Sequence, residues 1–363
     1  MRIGFDVSQV VYGTGVSDYT IELVSAMRIT DPTNKLVLFG STLRRTKDMR
    51  KLFPEVKSYR FPPTFLHLLW NVLHVGNIEN FIGQVDVFHS SDWTQPPASC
   101  PKVTTVHDLS PMLMPDEMAG SSFRNISSVH RLRLNWVAKE CQKIICVSDS
   151  TAKDFQKIFH VEDSKVEIIP EAMPTRFVIT PTRDEINSLK KEFDLDDYLV
   201  AIGTIQPRKN ISRLVKTFLK YQKTLHLPSK LVVIGGQGWG LSDIPIDPRI
   251  IFTGYVSDQK LAGLLKGSEA FVFPSLYEGF GLPVLIAFYH QIPVITSNTS
   301  SLPEVAGRAA ILVDPKSEIS IAEGIVDALK NRRRLVAEGT KQLSKFSWDS
   351  TARKTLSLYS QIC

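Results

Sequence analysis

Three groups of residues in this chain are of types that could do chemistry together. Arg208 and Lys209 stand side by side in the stretch Gly203-Thr-Ile-Gln-Pro-Arg-Lys-Asn210. Adjacent cations in a strand-to-helix turn suit a diphosphate, because a guanidinium grips two phosphate oxygens and an ammonium adds a compact charge. Ordinary surface charge satisfies the same pair. Glu278 opens the stretch Glu278-Gly-Phe-Gly281, followed by Leu282-Pro283. A carboxylate and a glycine turn then sit between a strand end and a helix start, where ligands bind in open α/β sheets. A plain βα turn with a surface Glu has the same sequence. His107 ends the apolar run Lys102 to Val106. A His there faces the same kind of crevice and offers a hydrogen bond of either polarity near neutral pH. A structural His held by Asp108 is the alternative. Gly13-Thr-Gly15 adds a glycine turn that lets a ligand approach the backbone, or simply closes a tight turn.

The elements that must position these residues follow from periodicity. Short apolar runs at Ile3–Val7, Leu36–Phe39, Asp86–His89, Lys102–Val106, Lys143–Val147 and Val166–Ile169 read as buried strands. A helix is expected after Gly15 with Ser17 as its cap, and another over Ser122–Ala138 with Arg124, Arg131 and Arg133 on a basic face. Pro170, Pro174 and Pro181 then punctuate a linker. The alternation restarts with strands at Tyr198–Ile202, Lys230–Ile234, Arg249–Phe252, Ala270–Phe273, Pro293–Thr296 and Ala310–Val313. Helices are expected after Ile211 and over Leu261–Lys266 and Ile319–Lys330. A last helix opens at Phe346-Ser-Trp348. Arg332-Arg-Arg334 reads as a solvated face.

Length and composition bound the rest. A chain of 363 residues with 43% hydrophobic content can bury two cores, so two α/β domains are expected. The net charge of +6 is mild for this length, and nucleic acid is not demanded. The four cysteines form no CxxC pair, which argues against zinc and for reduced thiols in a cytoplasmic protein. No run is long enough for a membrane span. Seven basic residues between Arg44 and Arg60 precede the apolar, Trp70-bearing stretch from Phe61. That pairing suits peripheral contact with an anionic membrane, on its inner face; a charged helix beside a core helix is the alternative, and Leu and Trp at helical spacing are more often core.

Taken in order, the motifs resemble those of glycosyltransferase family 4. They are Gly13-Thr-Gly-Val-Ser-Asp-Tyr19, Thr105-Val-His-Asp-Leu-Ser-Pro111, Cys146-Val-Ser-Asp-Ser150, Gly203 to Asn210 and Phe252-Thr-Gly-Tyr-Val-Ser-Asp258. Phe273-Pro-Ser-Leu-Tyr-Glu-Gly-Phe-Gly-Leu-Pro283, Leu302-Pro-Glu-Val-Ala-Gly307, Leu312-Val-Asp-Pro315 and Phe346-Ser-Trp348 complete the set. The resemblance implies the GT-B fold, two Rossmann-like domains facing across a cleft. Residues 1–175 would form the acceptor domain, 176–345 the nucleotide-sugar domain, and 346–363 a helix returning to the first. It implies transfer of a hexose with retained configuration, without a metal or other required cofactor, from a GDP- or UDP-sugar to a glycan or lipid-linked acceptor. Within the family, the likeness to bacterial mannosyltransferases of polysaccharide assembly points to GDP-mannose.

The resemblance also assigns residues. Arg208 and Lys209 match the diphosphate cations, and Glu278 the carboxylate that holds the donor sugar. Gly279, Phe280, Gly281 and Leu282 match the turn that meets sugar and phosphate. His107 matches the His that contacts the transferred sugar. Gly15 and Gly203 match glycines near the diphosphate, and Tyr255 and Val256 the segment beside the base. The chain departs from the pattern at Ile286, where a second carboxylate ordinarily holds the ribose. Gln206 stands for a Glu, and Glu171-Ala-Met for a small glycine-containing turn. Ile286 leaves open a second class of function, a non-catalytic family member that binds nucleotide or glycan as a partner subunit.

Overall fold

The computed structural model describes residues 1–114, 123–238 and 244–363, with the side chains of 123–126 outside the description. The chain divides into two compact units, one ending at Pro174 and taking back Ser347–Cys363, the other spanning Thr175–Phe346.

The first unit is built on a seven-stranded sheet. Its strands are β1 (Arg2–Asp6), β2 (Lys35–Ser41), β3 (Lys57–Tyr59), β4 (Val87–Ser90), β5 (Lys102–Val106), β6 (Lys143–Cys146) and β7 (Val166–Ile168). Their order is β3-β2-β1-β4-β5-β6-β7, and every pairing is parallel. The inner strands are buried along nearly their whole length, as apolar runs covered on both faces must be. The second unit carries β8 (Tyr198–Ile202), β9 (Lys230–Ile234), β10 (Ile250–Gly254), β11 (Ala270–Phe273), β12 (Val294–Ser297) and β13 (Ala310–Val313). They run β10-β9-β8-β11-β12-β13, again all parallel. The expected α/β architecture is present in both halves.

The final helix, Trp348–Ser360, belongs to the first unit. Ala352, Leu356, Leu358 and Tyr359 join Tyr19, Leu23, Val24 and Met27 of the helix Gly15–Thr30 in one core. The Tyr359 hydroxyl pairs with His89 Nδ1 inside it. Burial lowers the His89 pKa to about 3, so that ring is neutral. Ser347 accepts from Ser350 N as the helix cap.

Several expectations are corrected. Trp70 is fully buried, packs against Phe39 and Phe81, and donates its indole N–H to Gly76 O at 2.9 Å. It cannot meet a membrane. Phe65, Leu68, Val72 and Leu73 of the same stretch are the exposed ones, because its helix, Pro63–Leu66, runs on into a wider π turn, His67–Val72. Part of the basic run, Lys57–Tyr59, pairs with β2 as an edge strand. Arg133 does not lie on a basic face. It is buried, donating to Asp92 Oδ1 at 2.7 Å and Thr104 Oγ1 at 2.8 Å. Its helix is described from Phe123 to Glu140, so Ser122 and the Arg124 side chain fall outside the described residues. Thr14, rather than Ser17, caps the helix Gly15–Thr30; Ser17 is the reciprocal partner of that capping box. The expected solvated face is present at Arg332-Arg-Arg334, which begins the helix Arg332–Leu343: Arg333 and Arg334 are exposed, and Arg332 pairs with Glu269. All four cysteines are free.

Candidate functional site

The strand order of the second sheet explains why distant residues meet. From β8 the chain passes to β9 and β10 on one side, then returns to β11 on the other. The loops leaving the C-terminal ends of β8 and β11 therefore flank a topological switch point. The β8 loop carries Arg208 and Lys209, and the β11 loop carries Glu278.

The three side chains converge. Arg208 Nη1 donates to Glu278 Oε2 at 2.9 Å and to Tyr277 O at 2.8 Å. Lys209 Nζ donates to Glu278 Oε1 at 2.7 Å and lies 5.0 Å from the centre of the Phe273 ring. The side chains of Arg208, Lys209 and Glu278 are 11%, 13% and 9% exposed, so little solvent screens them. Burial alone would push the Glu278 carboxyl up. The two cations outweigh that and bring it down to about 2, which keeps it ionised. Two cations thus face one carboxylate at the ends of two strands.

Local backbone features make this possible. Pro207–Lys209 forms a short 3-10 turn that ends at Asn210 in the left-handed region, with φ at 60°. Asn210 Nδ2 donates to Pro274 O at 2.9 Å and to Pro315 O at 2.6 Å, tying the β8 loop to the β11 loop. Leu276 N adds a backbone bond to Arg208 O. The Glu278 turn is held from below: its N–H donates to Ser300 Oγ at 3.0 Å, and Ser301 Oγ donates to Glu278 O and Phe280 O. Asn210, Ser300 and Ser301 are the supporting residues that sequence reasoning passed over. Asn210 lay inside a recognised motif, but nothing local marks the two serines. Gly281 takes φ of 109°, which side chains disfavour, and then starts the helix Leu282–Tyr289 with Pro283 in its first turn. Pro283 has no N–H and Val284 N donates to Gly281 O, which leaves the amides of Gly281 and Leu282 at the head of that helix.

The other expected residues fall in different places. Gly203, at φ of 151°, lets the stem of Lys209 pack close, 3.3 Å from where a Cβ would be. Tyr255 is 82% exposed; its ring lies across Gly236, and its hydroxyl is 3.4 Å from Thr204 Oγ1, beside the same β8 loop. Val256, next to it, is half-buried. Gly279 and Phe280 are buried, Phe280 edge-on to Phe346, and Leu282 is half-buried. Ile286 is buried among Val284, Leu285, Ala287 and Phe288 and presents no polar group to a ligand.

Gly15 and His107 belong to the first unit. Gly15 starts its helix with open space where a side chain would project. His107 follows β5, and its Nδ1 is 2.7 Å from Glu171 Oε1. The ring meets Tyr19 edge-on, centroids 4.5 Å apart. The partner is thus Glu171, not Asp108, whose Oδ1 is occupied by Ser110 N. Glu171 lies just beyond β7, a neighbour only after folding. With Nδ1–H donated to the carboxylate, Nε2 is the nitrogen left for a ligand. Among the described residues, no cluster of three or more His, Cys, Asp or Glu side chains is placed to hold a metal ion.

Comparison with known proteins bears on both units. The family model "Glycosyltransferase Family 4" matches residues 14–177, and "Glycosyl transferases group 1" matches 183–345. The O-antigen chain mannosyltransferase B of Escherichia coli is 26% identical over 392 aligned positions, covering 99% of both chains. The serotype-specific mannosyltransferase WbdA of the same species is 30% identical over 281 positions, which cover 72% of this chain and 33% of that one. Among solved structures, Anabaena HepE in complex with UDP aligns with a TM-score of 0.72 at 13% identity, covering 99% of each chain. Sucrose-phosphate synthase of Thermosynechococcus elongatus aligns at 0.71 and 16%, covering 99% of this chain and 98% of its own. At such identities the structural likeness speaks to the fold.

Proposed function

Because the chain belongs to glycosyltransferase family 4 and is a glycosyltransferase of the GT-B fold, we propose that it transfers a mannosyl residue from a nucleotide-sugar to a polysaccharide acceptor. The observation that carries the donor half is the convergence of Arg208 and Lys209 on Glu278 at the β8/β11 switch point. Mannose is supported by the likeness to the two Escherichia coli mannosyltransferases. GDP is the nucleotide we favour with that sugar; the likeness to a UDP complex keeps UDP in the test.

In this reading Arg208 and Lys209 hold the diphosphate, and the amides of Gly281 and Leu282 add to the field. Departure of a nucleoside diphosphate builds negative charge, which preorganised cations stabilise. These groups can do so without a metal. Glu278, ionised and fixed by both cations, suits the sugar hydroxyls better than proton donation. The acceptor hydroxyl oxygen bonds to the anomeric carbon on the face the phosphate leaves. The carbon–phosphate oxygen bond breaks, and the hydroxyl proton passes to the departing phosphate oxygen, so configuration is retained. His107, oriented by Glu171, is assigned to the transferred sugar.

Among the described residues, no helix is long and apolar enough to cross a membrane. We place peripheral contact with an anionic bilayer on the exposed Phe65, Leu68, Val72 and Leu73, next in sequence to the basic run Arg44–Arg60.

The test is calorimetry and transfer assays with GDP-mannose, GDP, UDP-glucose and UDP, using mannose-terminated oligosaccharides as acceptors. GDP-mannose turnover with an α-linked product is expected. Turnover with UDP-glucose alone would replace the donor, and an inverted product would remove the mechanism. Nucleotide binding without turnover would make the chain the non-catalytic partner.

A further inference from the structure

None of the groups assigned to transfer lies in the motif Phe346-Ser-Trp348. That motif leads into the final helix, Trp348–Ser360, which belongs to the first unit. The helix does more than complete a core. Its first turn is bonded to the short loop that carries Glu171.

The loop follows β7, and Pro170 to Met173 lie in no helix or strand. Ile169 N donates to Cys146 O at 3.1 Å, which fixes where the loop begins. After that point the final helix holds it. Thr351 Oγ1 donates to Pro170 O at 2.8 Å, closer than the Ser347 O of its own helix at 3.1 Å. The indole N–H of Trp348 donates to Met173 O at 3.0 Å. These two carbonyls bracket Glu171 in the chain. From between them Glu171 Oε1 reaches His107 Nδ1 at 2.7 Å, with both side chains 10% exposed. The sequence departs from the glycosyltransferase pattern here, so the carboxylate and its supports are this chain's own.

A second line of contacts joins the same residues. The Tyr19 ring meets His107 edge-on with centroids 4.5 Å apart, and Trp348 edge-on at 5.7 Å. Its hydroxyl, 3.0 Å from Thr105 Oγ1, fixes the ring. What this achieves at His107 is a choice of proton position. The tautomer of an imidazole is set by the partner of one nitrogen. A carboxylate only accepts, so Glu171 places the proton on Nδ1 and leaves Nε2 as an acceptor. Asp108, next in sequence, is engaged by Ser110 N and does not supply this control. Glu171 supplies it, and the final helix holds Glu171.

We propose that Trp348 and Thr351 are positioning residues for His107. By holding the carbonyls on either side of Glu171 they keep its carboxylate on Nδ1, fix the ring in the Nδ1–H tautomer, and present an Nε2 acceptor to a hydroxyl of the transferred sugar. All of these residues lie in the first unit, while Arg208, Lys209 and Glu278 lie in the second. The contact of His107 with the sugar rests on the transferase reading above; the tautomer does not.

The test reads the tautomer and the rate separately, below the unfolding transition of each variant. Wild type, Glu171→Met, Thr351→Val, Thr351→Ser and the double variant Trp348→Phe/Thr351→Val are compared. Labelled histidine nitrogens are observed by NMR on the alkaline side of the ring's titration, the His107 signals being those lost in His107→Asn. Wild type should show a protonated Nδ1 and a bare Nε2. Glu171→Met and the double variant should show a mixed or reversed tautomer, and Thr351→Ser, which keeps the hydroxyl, should match wild type. With whichever of GDP-mannose and UDP-glucose wild type turns over, kcat should fall about tenfold or more in Glu171→Met and the double variant, because small misplacements of a reacting contact cost that much. Nucleotide affinity by calorimetry should be the same in all. A wild-type proton on Nε2, or a double variant that loses stability but keeps the wild-type tautomer and rate, would overturn the proposal. So would equal losses in Thr351→Ser and Thr351→Val. A tautomer that shifts as expected in a protein that transfers no sugar would keep this assignment and remove the transferase reading instead.

Discussion

Glu278 is held by two cations and answers to both, which makes the site sensitive to single changes. Arg208→Ala or Lys209→Ala removes one of two charges facing the proposed diphosphate. Each should lower the transfer rate by about 10²–10³-fold and weaken nucleotide binding, read by steady-state kinetics and calorimetry. Unchanged kinetics in both would detach them from the donor. The carboxylate also reports on pH. The Glu278 carboxyl sits at about 2 rather than the ordinary 4.5. Its ion pairs therefore stabilise the folded unit above pH 4.5, and the contribution is lost as pH falls from 4.5 toward 2. That contribution is on the order of 3 kcal/mol. Unfolding of wild type should lose stability across that window, and Glu278→Gln should show a flatter profile.

At the scale of the element, the helix Leu282–Tyr289 shows how a departure from a family pattern can be absorbed. Its whole middle, Val284 to Phe288, is buried, and Ile286 is 4% exposed. An isoleucine completes an apolar helix there. A carboxylate at this position would need a partner to offset its desolvation. Ile286→Glu is therefore expected to cost about 1–3 kcal/mol of stability without nucleotide. If the new carboxylate reaches a ribose, GDP should raise the melting temperature of the variant more than that of wild type. Paired melting curves with and without GDP measure this. The stretch after Phe61 carries a related lesson. Its apolar residues are shared between the core, through Leu66 and Trp70, and the surface, through Phe65, Leu68 and Val72. The surface set should bind vesicles containing anionic lipid at low salt, and a Phe65→Ser/Leu68→Ser double variant should co-sediment several-fold less. No co-sedimentation by wild type would remove the membrane contact.

For the molecule as a whole, the chain's end completes the unit its beginning starts. Tyr359 is fully buried against the Gly15–Thr30 helix, and its hydroxyl pairs with neutral His89. Tyr359→Ala leaves a cavity and an unpaired buried ring nitrogen. It should destabilise the first unit by about 3–5 kcal/mol, seen as an earlier transition in calorimetric unfolding. A single unshifted transition would show that the final helix contributes little.

The sequence by itself determined the architecture and the chemistry of the donor residues. Buried parallel strands are continuous apolar runs, so β8, β9 and β11 were legible to the residue, and glycine and proline at the Glu278 turn announced a strand-to-helix corner. Residue types alone identified Arg208, Lys209, Glu278 and His107 as chemically capable. Only the tertiary structure decided who meets whom. Glu278 reaches Arg208 across 70 positions because β8 and β11 are neighbours at a switch point. Glu171 reaches His107 across 64, taking the place that the alternative reading gave to the adjacent Asp108. Burial was likewise a property of the fold: Arg133 looked like a surface group along the chain and proved to be core, and Trp70, for which membrane contact and core were both open, is core. Local pattern encodes which face of an element is apolar. Which loop lies beside which depends on strand order, and no local pattern carries that.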